Sequence, residues 1–162
     1  MAKEIERKFL VTSKDFLHNL EPTFYQQGYI PTCDNTTVRL RVIGDKAFLT
    51  IKGENQGITR LEFEYEIPLE DAKQMMNAVC SKPMIEKFRY ICQVGNTRWE
   101  VDRFVGDNDG LVVAEVELNS ESQEFDHPDW LGREVSGDAK YYNSQLVKHP
   151  YSKWTTAEKL KS

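Results

Sequence analysis

The chain has 162 residues, enough for one domain with its own core on the usual scale of about 100–200 residues. Hydrophobic residues make up 40% and charged residues 29%, a globular balance that excludes wholesale disorder. A formal net charge of −5 excludes the broad basic surface that generic nucleic-acid binding requires, leaving room only for local basic sites.

The opening stretch, MAKEIERKFLV, alternates Glu4, Glu6 and Lys8 with Ile5, Phe9 and Val11, which predicts a strand over 3–12 with three charges on one face. Ser13 then starts a helical stripe of Phe16, Leu17 and Leu20 over 13–20. Strands are predicted over 23–31, 36–43, 46–53 and 58–67, punctuated by Asp34-Asn35, Gly44-Asp45 and the stretch from Gly53 to Gly57. Leu69, Ala72, Met75, Met76 and Val79 share the stripe of a second helix over 69–80. Three more strands follow over 84–94, 97–105 and 111–119, separated by Gly95-Asn96 and the turn from Gly106 to Gly110. Residues 120–128 have no period and read as a loop. Asp138 is the N-cap candidate of a third helix in GDAKYYNSQLVKHP, which stops before Pro150. Residues 1–150 thus read as one domain and 151–162 as a C-terminal tail, either docked or frayed. Eight strands joined by tight turns predict an antiparallel barrel or sandwich.

Cys33, Cys80 and Cys92 lack metal or disulfide spacing, so reduced thiols are expected. No apolar run approaches the roughly 18 residues of a membrane span and no signal-peptide stretch opens the chain, so a cytoplasmic protein without membrane contact is expected. The glycine-rich phosphate loops GxxxxGK[ST] and GxGxxG are absent.

The alternation recurs on every strand. Glu4, Glu6 and Lys8, Arg39 and Arg41, Lys52, Arg60, Glu62 and Glu64, Lys87 and Arg89, Glu100 and Asp102, and Glu115 and Glu117 all fall on one parity, with apolar residues on the other. A sheet with one solvated face produces such alternation, but solvated faces also use Thr, Ser, Gln and Asn, whereas this one is almost purely ionic. The alternative is a fold of the α+β class, an eight-stranded antiparallel closed β-barrel with its charges inside and amphipathic helices on its apolar outside. An ionic lumen is costly unless its charges pair or hold a ligand. Lysines and arginines on several strands suit a chain of phosphates. Carboxylates beside them suit a hard divalent cation that shares the phosphate oxygens.

These residues resemble the CYTH family of triphosphate tunnel metalloenzymes. EIERKFLV is similar to that family's ExExK signature, and TVRLRV, FLTIKG, RLEFEYEIP, WEVDRF, GLVVAEVEL and KYYN follow in the family's order over nearly the whole chain. The resemblance implies an eight-stranded tunnel binding a triphosphate with Mg2+ or Mn2+. It places Glu4, Glu6, Asp102, Glu115 and Glu117 as metal-binding carboxylates, with Glu62 and Glu64 as further candidates. It places Lys8, Arg39, Arg41, Lys52, Arg89 and Lys140 at phosphate-binding positions, with Arg60 and Lys87 beside them. Tyr29 in QGYI and Lys87 in EKFRY match positions implicated in proton transfer, and KYYN resembles a plug that closes one tunnel end with Lys140 aimed at the ligand.

Short bacterial members beginning EIERKFLV look most like inorganic triphosphatases, which implies hydrolysis of tripolyphosphate to pyrophosphate and phosphate. Class IV adenylyl cyclases, thiamine triphosphatases, an RNA 5′-triphosphatase and a non-catalytic polyphosphate or nucleotide receptor are the alternatives, and fold alone does not choose between them. The expected partner is a small-molecule triphosphate, bound by a monomer or a homodimer, with no nucleic acid.

Overall fold

The computed structural model describes residues 2–160, so residues 161 and 162 of the expected tail lie outside the described residues. Nine strands run β1 (Lys3–Val11), β2 (Thr23–Ile30), β3 (Thr37–Ile43), β4 (Lys46–Lys52), β5 (Thr59–Ile67), β6 (Ile85–Val94), β7 (Thr97–Phe104), β8 (Val112–Glu117) and β9 (Leu131–Glu134). Three α-helices join them: α1 (Leu69–Ala78), α2 (Asn143–Lys148) and α3 (Thr156–Leu160). The strands hydrogen-bond in the order β5-β4-β3-β2-β6-β7-β8-β1, and β1 also pairs with β5, which closes an eight-membered antiparallel barrel.

β1 is the seam. One edge pairs with β8 from Glu6–Glu117 to Leu10–Val113. The other edge serves two partners in turn, β5 through Lys3–Leu61 to Ile5–Thr59 and then β9 through Phe9–Glu134 and Val11–Leu131. β9 lies outside the eight-strand expectation. Its four residues carry too short an alternation to announce a strand, and it is fixed instead by a long-range ion pair. Arg7, whose charge interrupts the apolar outward row of β1, donates from Nε and Nη2 to the two carboxylate oxygens of Glu134 at 2.8 and 2.6 Å. Its guanidinium also lies over the Phe125 ring at 4.9 Å.

The expected helices shorten for local reasons. Residues 15–19 make a 3-10 turn rather than an α-helix, and the third segment divides into a 3-10 turn over 139–141 followed by α2. Asp138 accepts the Lys140 amide at 3.4 Å as the cap of that first turn. α1 packs against β3 and β4. Its neighbouring loop comes so close to β2 that a Cβ at Gly28 would sit 2.8 Å from Cys80 Sγ and 3.0 Å from Met84 Sδ, so only glycine fits there.

Two apolar cores hold the barrel. The outer one covers β1, β6, β7 and β8: Phe9, Tyr90, Trp99, Val101, Ala114 and Val116 pack beneath Leu17 of the 3-10 turn and beneath Phe125 and Trp130 of the loop before β9. The outside of β4 and β5 is barer than expected, with Ile51, Leu61, Phe63 and Tyr65 all at least 38% exposed.

The second core is inside. The inward rows that carry charge turn apolar at one end: Leu10 follows Lys8 on β1, Ile85 precedes Lys87 on β6, Phe104 follows Asp102 on β7, and Val113 precedes Glu115 on β8. Tyr141, Leu146, Val147 and Trp154 from the C-terminal segment pack onto this row and stopper the barrel. Burying a large aromatic side chain in this way is worth several kcal/mol. Trp154→Ala is therefore expected to lower unfolding free energy by about 3–5 kcal/mol in urea denaturation, the usual cost of deleting a buried Trp or Phe side chain; a change below 1 kcal/mol would show that the segment after Pro150 adds nothing to the core.

Candidate active site

Above the stopper the barrel encloses a cavity of about 270 Å³, lined by side chains from each of β1 to β8, with Glu100 from β7, and by Ser136, Gly137, Tyr142, Asn143 and Ser144 of the C-terminal segment. This lies at the small end of the range of about 300–1,000 Å³ for ligand sites, a size for a compact polar ligand. Of the sequence candidates, Glu4, Glu6, Lys8, Tyr29, Arg39, Arg41, Lys52, Arg60, Glu62, Glu64, Lys87, Arg89, Glu100, Glu115 and Glu117 all line it.

Strand order gives the wall a polarity. β8, β1 and β5 are contiguous and bring Glu117, Glu115, Glu6, Glu4 and Glu62 together; β6, β2 and β3 are contiguous and bring Arg89, Lys87, Tyr29, Arg41 and Arg39 together. An acidic wall therefore faces a basic wall, with Lys8 and Arg60 as cations on the acidic side.

The carboxylates come in close pairs. Burial pushes Glu6 well above the usual carboxylate range, and Glu115, to which it is hydrogen-bonded, pushes it further. Burial also acts to raise Glu115, but Lys8 and the Glu6 hydrogen bond hold it down at about 2. Glu4 and Glu62 form a second pair around Lys52, whose ammonium lies 2.9 Å from Glu4 Oε1 and 3.1 Å from Glu62 Oε2. Burial is again the largest influence on Glu4, and it wins over Lys52 to raise the carboxyl.

On the basic wall, Asp102 is fully buried behind the cavity surface, and both of its oxygens are occupied. Arg89 donates Nε to Oδ1 at 2.8 Å and Nη2 to Oδ2 at 2.9 Å, while Lys87 Nζ donates to Oδ2 at 2.7 Å. Burial acts to raise Asp102, but the two cations hold it far below the ordinary range. Asp102 thus stands as the anchor of two bases rather than beside the other carboxylates, a departure from the metal-ligand position assigned by resemblance. Lys87 Nζ also donates to Asn143 Oδ1 at 2.8 Å. Burial is the main influence on Lys87; Asp102 opposes it, Arg89 and Arg41 reinforce it, and the ammonium settles at about 7.

Arg41 differs from its neighbours. Its Nε donates to Gln27 Oε1 at 2.8 Å, its guanidinium lies 4.9 Å from the Tyr25 ring, and no carboxylate pairs with it among the described residues. Burial, Arg39 and Arg89 together lower it to about 10. Arg39, by contrast, reaches Glu64 at 3.3 Å and Thr50 at 3.1 Å.

Lys140 is placed away from the cavity. Its ammonium donates to the Glu158 carbonyl at 2.7 Å and sits 5.0 Å from the Trp154 ring and 5.3 Å from the Tyr141 ring, so this lysine ties the stopper to the C-terminal segment instead of aiming at a ligand. Sequence reasoning missed two side chains inside the network. Gln27, fully buried, shares the inward parity of Tyr29 on β2 and was legible from that parity. Asn143 ends the KYYN block, where spacing alone gives no pointer to it.

A second cleft of about 390 Å³ adjoins the tunnel between the β2–β3 turn and α2, sharing Tyr29, Thr37, Asn55, Arg60, Tyr142 and Ser144 with it. Among the described residues no helix is long and apolar enough to cross a membrane.

A closed antiparallel barrel with opposed acidic and basic inner walls defines a tunnel for a multivalent anion. The chain belongs to the CYTH family: the CYTH domain matches residues 2–149. It is 50% identical over 151 residues to an inorganic triphosphatase of Acetivibrio thermocellus, covering 93% of this chain and 97% of the relative. It is 37% identical over 149 residues to an inorganic triphosphatase of Nitrosomonas europaea, covering 89% and 96%. A solved inorganic triphosphatase structure matches with a TM-score of 0.63 and 35% identity over 88% of this chain and 96% of that one.

Two outcomes follow from the Lys87–Asp102–Arg89 cluster. Asp102→Asn leaves two buried cations without their shared anion and is expected to cost about 3–5 kcal/mol of stability at neutral pH, measured by chemical denaturation. Lys87 is deprotonated above about 7 in the fold but near 10.5 when free, so the unfolded chain binds the extra proton across that window. Stability should therefore rise from pH 7 to 10 in the wild type relative to Lys87→Met; parallel curves for the two proteins would contradict the depressed lysine.

Proposed function

We propose that the protein is a divalent-metal-dependent inorganic triphosphatase that hydrolyses tripolyphosphate with one water to pyrophosphate and phosphate. The observation that carries this reading is Arg41, a half-buried arginine on the tunnel wall, flanked by Arg39 and Arg89 and with no carboxylate of its own among the described residues. A cation partly withdrawn from water and left uncompensated is costly, and a multivalent anion in the tunnel supplies the missing charge. Identity of 50% to a relative named inorganic triphosphatase supports the substrate class.

The donor set fits a divalent cation. No three acidic, His or Cys side chains converge as a ready-made cluster among the described residues. The acidic wall instead offers the facing pair Glu6 and Glu115 with Glu4 nearby, carboxyls whose mutual repulsion a cation relieves. That suits Mg2+, which is held by one or two carboxylates with water and phosphate oxygens, and Mn2+ shares its preference for oxygen. Glu4, Glu6 and Glu115 would hold it, with Glu117 and Glu62 beside them, and once bound it neutralises phosphate charge as the P–O bond breaks.

The chain's own side chains do the rest. Arg39, Arg41, Arg89 and Lys8 hold the phosphates in line and stabilise the charge that moves to the leaving oxygen, which is positioning and electrostatics. Lys87, near neutrality, takes the proton of the attacking water as its free amine, in the general-base role. Tyr29 donates to a phosphate oxygen from β2, the strand between those of Lys87 and Arg41.

A second reading rests on the adjoining cleft, whose volume and mixed lining, with Thr32, Asn35 and Tyr142 beside Asp34, Glu54, Arg60 and Lys148, leave room for an organic group on the triphosphate. Purified protein with Mg2+ is expected to release equal amounts of phosphate and pyrophosphate from tripolyphosphate. Cyclic AMP from ATP without tripolyphosphate turnover would favour the adenylyl cyclase alternative instead.

Arg41→Met is expected to raise KM for tripolyphosphate by about tenfold or more, the scale of one charge-assisted hydrogen bond. The same substitution should raise the melting temperature of the ligand-free protein, because it removes an unpaired charge that is half-withdrawn from water. Glu6→Gln should likewise keep or improve the ligand-free melting temperature while abolishing metal-dependent turnover; unchanged metal-dependent activity would remove Glu6 from the metal site.

A further inference from the structure

Gln27 lies wholly inside the barrel wall and has three partners on three different segments. Its side-chain oxygen accepts the Arg41 Nε hydrogen at 2.8 Å, and its nitrogen lies 3.0 Å from the Tyr29 hydroxyl and 3.4 Å from Asn143 Oδ1. The orientation of the amide follows from chemistry. An arginine Nε is only a donor, so the atom facing it must be oxygen, and the amide nitrogen must then face Tyr29. An amide nitrogen is only a donor, so the Tyr29 oxygen must accept from it. The phenol's single hydrogen is thereby excluded from the Gln27 side and has no other protein acceptor among the described residues. Tyr29 lines the tunnel, which is where that hydrogen remains free to be given.

We propose that Gln27 is a positioning residue that fixes the Tyr29 hydroxyl as a hydrogen-bond donor to an anion oxygen in the tunnel, while pinning Arg41 through Nε so that its terminal nitrogens stay available to the same anion. The proposal rests on the tripolyphosphatase reading for its substrate, but the direction of the Tyr29 hydrogen rests only on the donor and acceptor identities. One uncharged side chain thus sets the polarity of two ligand-facing groups. Gln27→Glu preserves shape and the Arg41 bond but replaces the donor nitrogen by an acceptor oxygen. The Tyr29 hydrogen would then turn to the new carboxylate and leave the tunnel.

A double-mutant cycle with Tyr29→Phe tests this, because the charge added by Gln27→Glu is present in both backgrounds and cancels. In the wild-type background Gln27→Glu should lower kcat for tripolyphosphate by the charge effect plus a loss matching that of Tyr29→Phe, about tenfold for one hydrogen bond to a charged oxygen. In the Tyr29→Phe background the second loss should vanish, leaving the two substitutions non-additive by about tenfold. Gln27→Met, which lacks both the donor and the new charge, should show a smaller coupling of the same sign. Additive losses in both cycles would overturn the proposal and leave Gln27 as packing alone.

The same cycle is read in the Kd of metal-free protein for tripolyphosphate by calorimetry. If the wild type binds tripolyphosphate yet does not hydrolyse it once Mg2+ or Mn2+ is supplied, the triphosphatase reading fails, while coupling or additivity in Kd still decides the role of Gln27. A variant that does not fold, seen by loss of its cooperative melt, is replaced by Gln27→Asn, whose amide is one methylene too short to hold both Arg41 Nε and the Tyr29 hydroxyl; non-additivity of the same sign with Tyr29→Phe is expected there, and additivity would overturn the proposal.

Discussion

Charge inside a closed barrel has to be neutralised, and every notable feature of this protein is a response to that requirement. Once β1 joins β8 to β5, the deep inward charges Lys8, Arg39, Lys87, Arg89, Asp102 and Glu115 are buried, and an isolated ion there would cost several kcal/mol. The chain answers by local pairing where it can. Asp102 holds Arg89 and Lys87, Lys52 holds Glu4 and Glu62, and Glu115 holds Lys8. What is left over divides by wall, with surplus positive charge around Arg41 on β3 and surplus carboxyl groups around Glu6 on β1. The residual imbalance has the form of the ligand pair that the tunnel is proposed to hold, an anion of several charges and a cation.

The apolar stopper is the counterpart of this arrangement. Small barrels ordinarily fill their interiors with apolar side chains. This one does so at one end, where Leu10, Ile85, Phe104 and Val113 continue the same inward rows that carry Lys8, Lys87, Asp102 and Glu115. Stability and chemistry therefore occupy successive positions of the same strands. A water-excluding floor beneath the charges lowers the local dielectric, which strengthens each electrostatic contact above it. It also brings Lys87 down to about 7.

Much of this was legible in the sequence because a strand's period of two is strict. Parity alone assigned the inward side of Glu4, Glu6, Arg39, Arg41, Glu62, Lys87, Arg89 and Glu115, all of which line the tunnel. Parity does not say how deep along the barrel a residue sits or which neighbour already holds it. That is why Asp102, on the right face, turned out to be consumed by two bases. Outside strands the reading weakens further: Lys140 has no parity, and its direction was decided by a carbonyl and an indole contributed from beyond Pro150. Gln27 escaped because a lone neutral side chain among arginines looks unremarkable until its partners are known. The role of Arg7 is hidden from the sequence in the same way, since its partner Glu134 lies 127 positions away on a strand too short to be seen in advance.

That separation has a consequence for how the molecule is made. β1 is made before the other strands, yet its partners are residues 59–61, 113–117 and 131–134, so its edges stay unpaired until those residues have been added. Contacts this distant in sequence are slow to form, because the entropy of closing the loop must be met before the pairing is gained. Through that interval Glu4, Glu6 and Lys8 keep the waiting strand hydrated and charged. Charged side chains are also what keeps an open strand edge from joining another chain. The residues proposed to hold the metal and the phosphate thus act earlier, as guards of a strand that has to wait for partners more than a hundred residues further on.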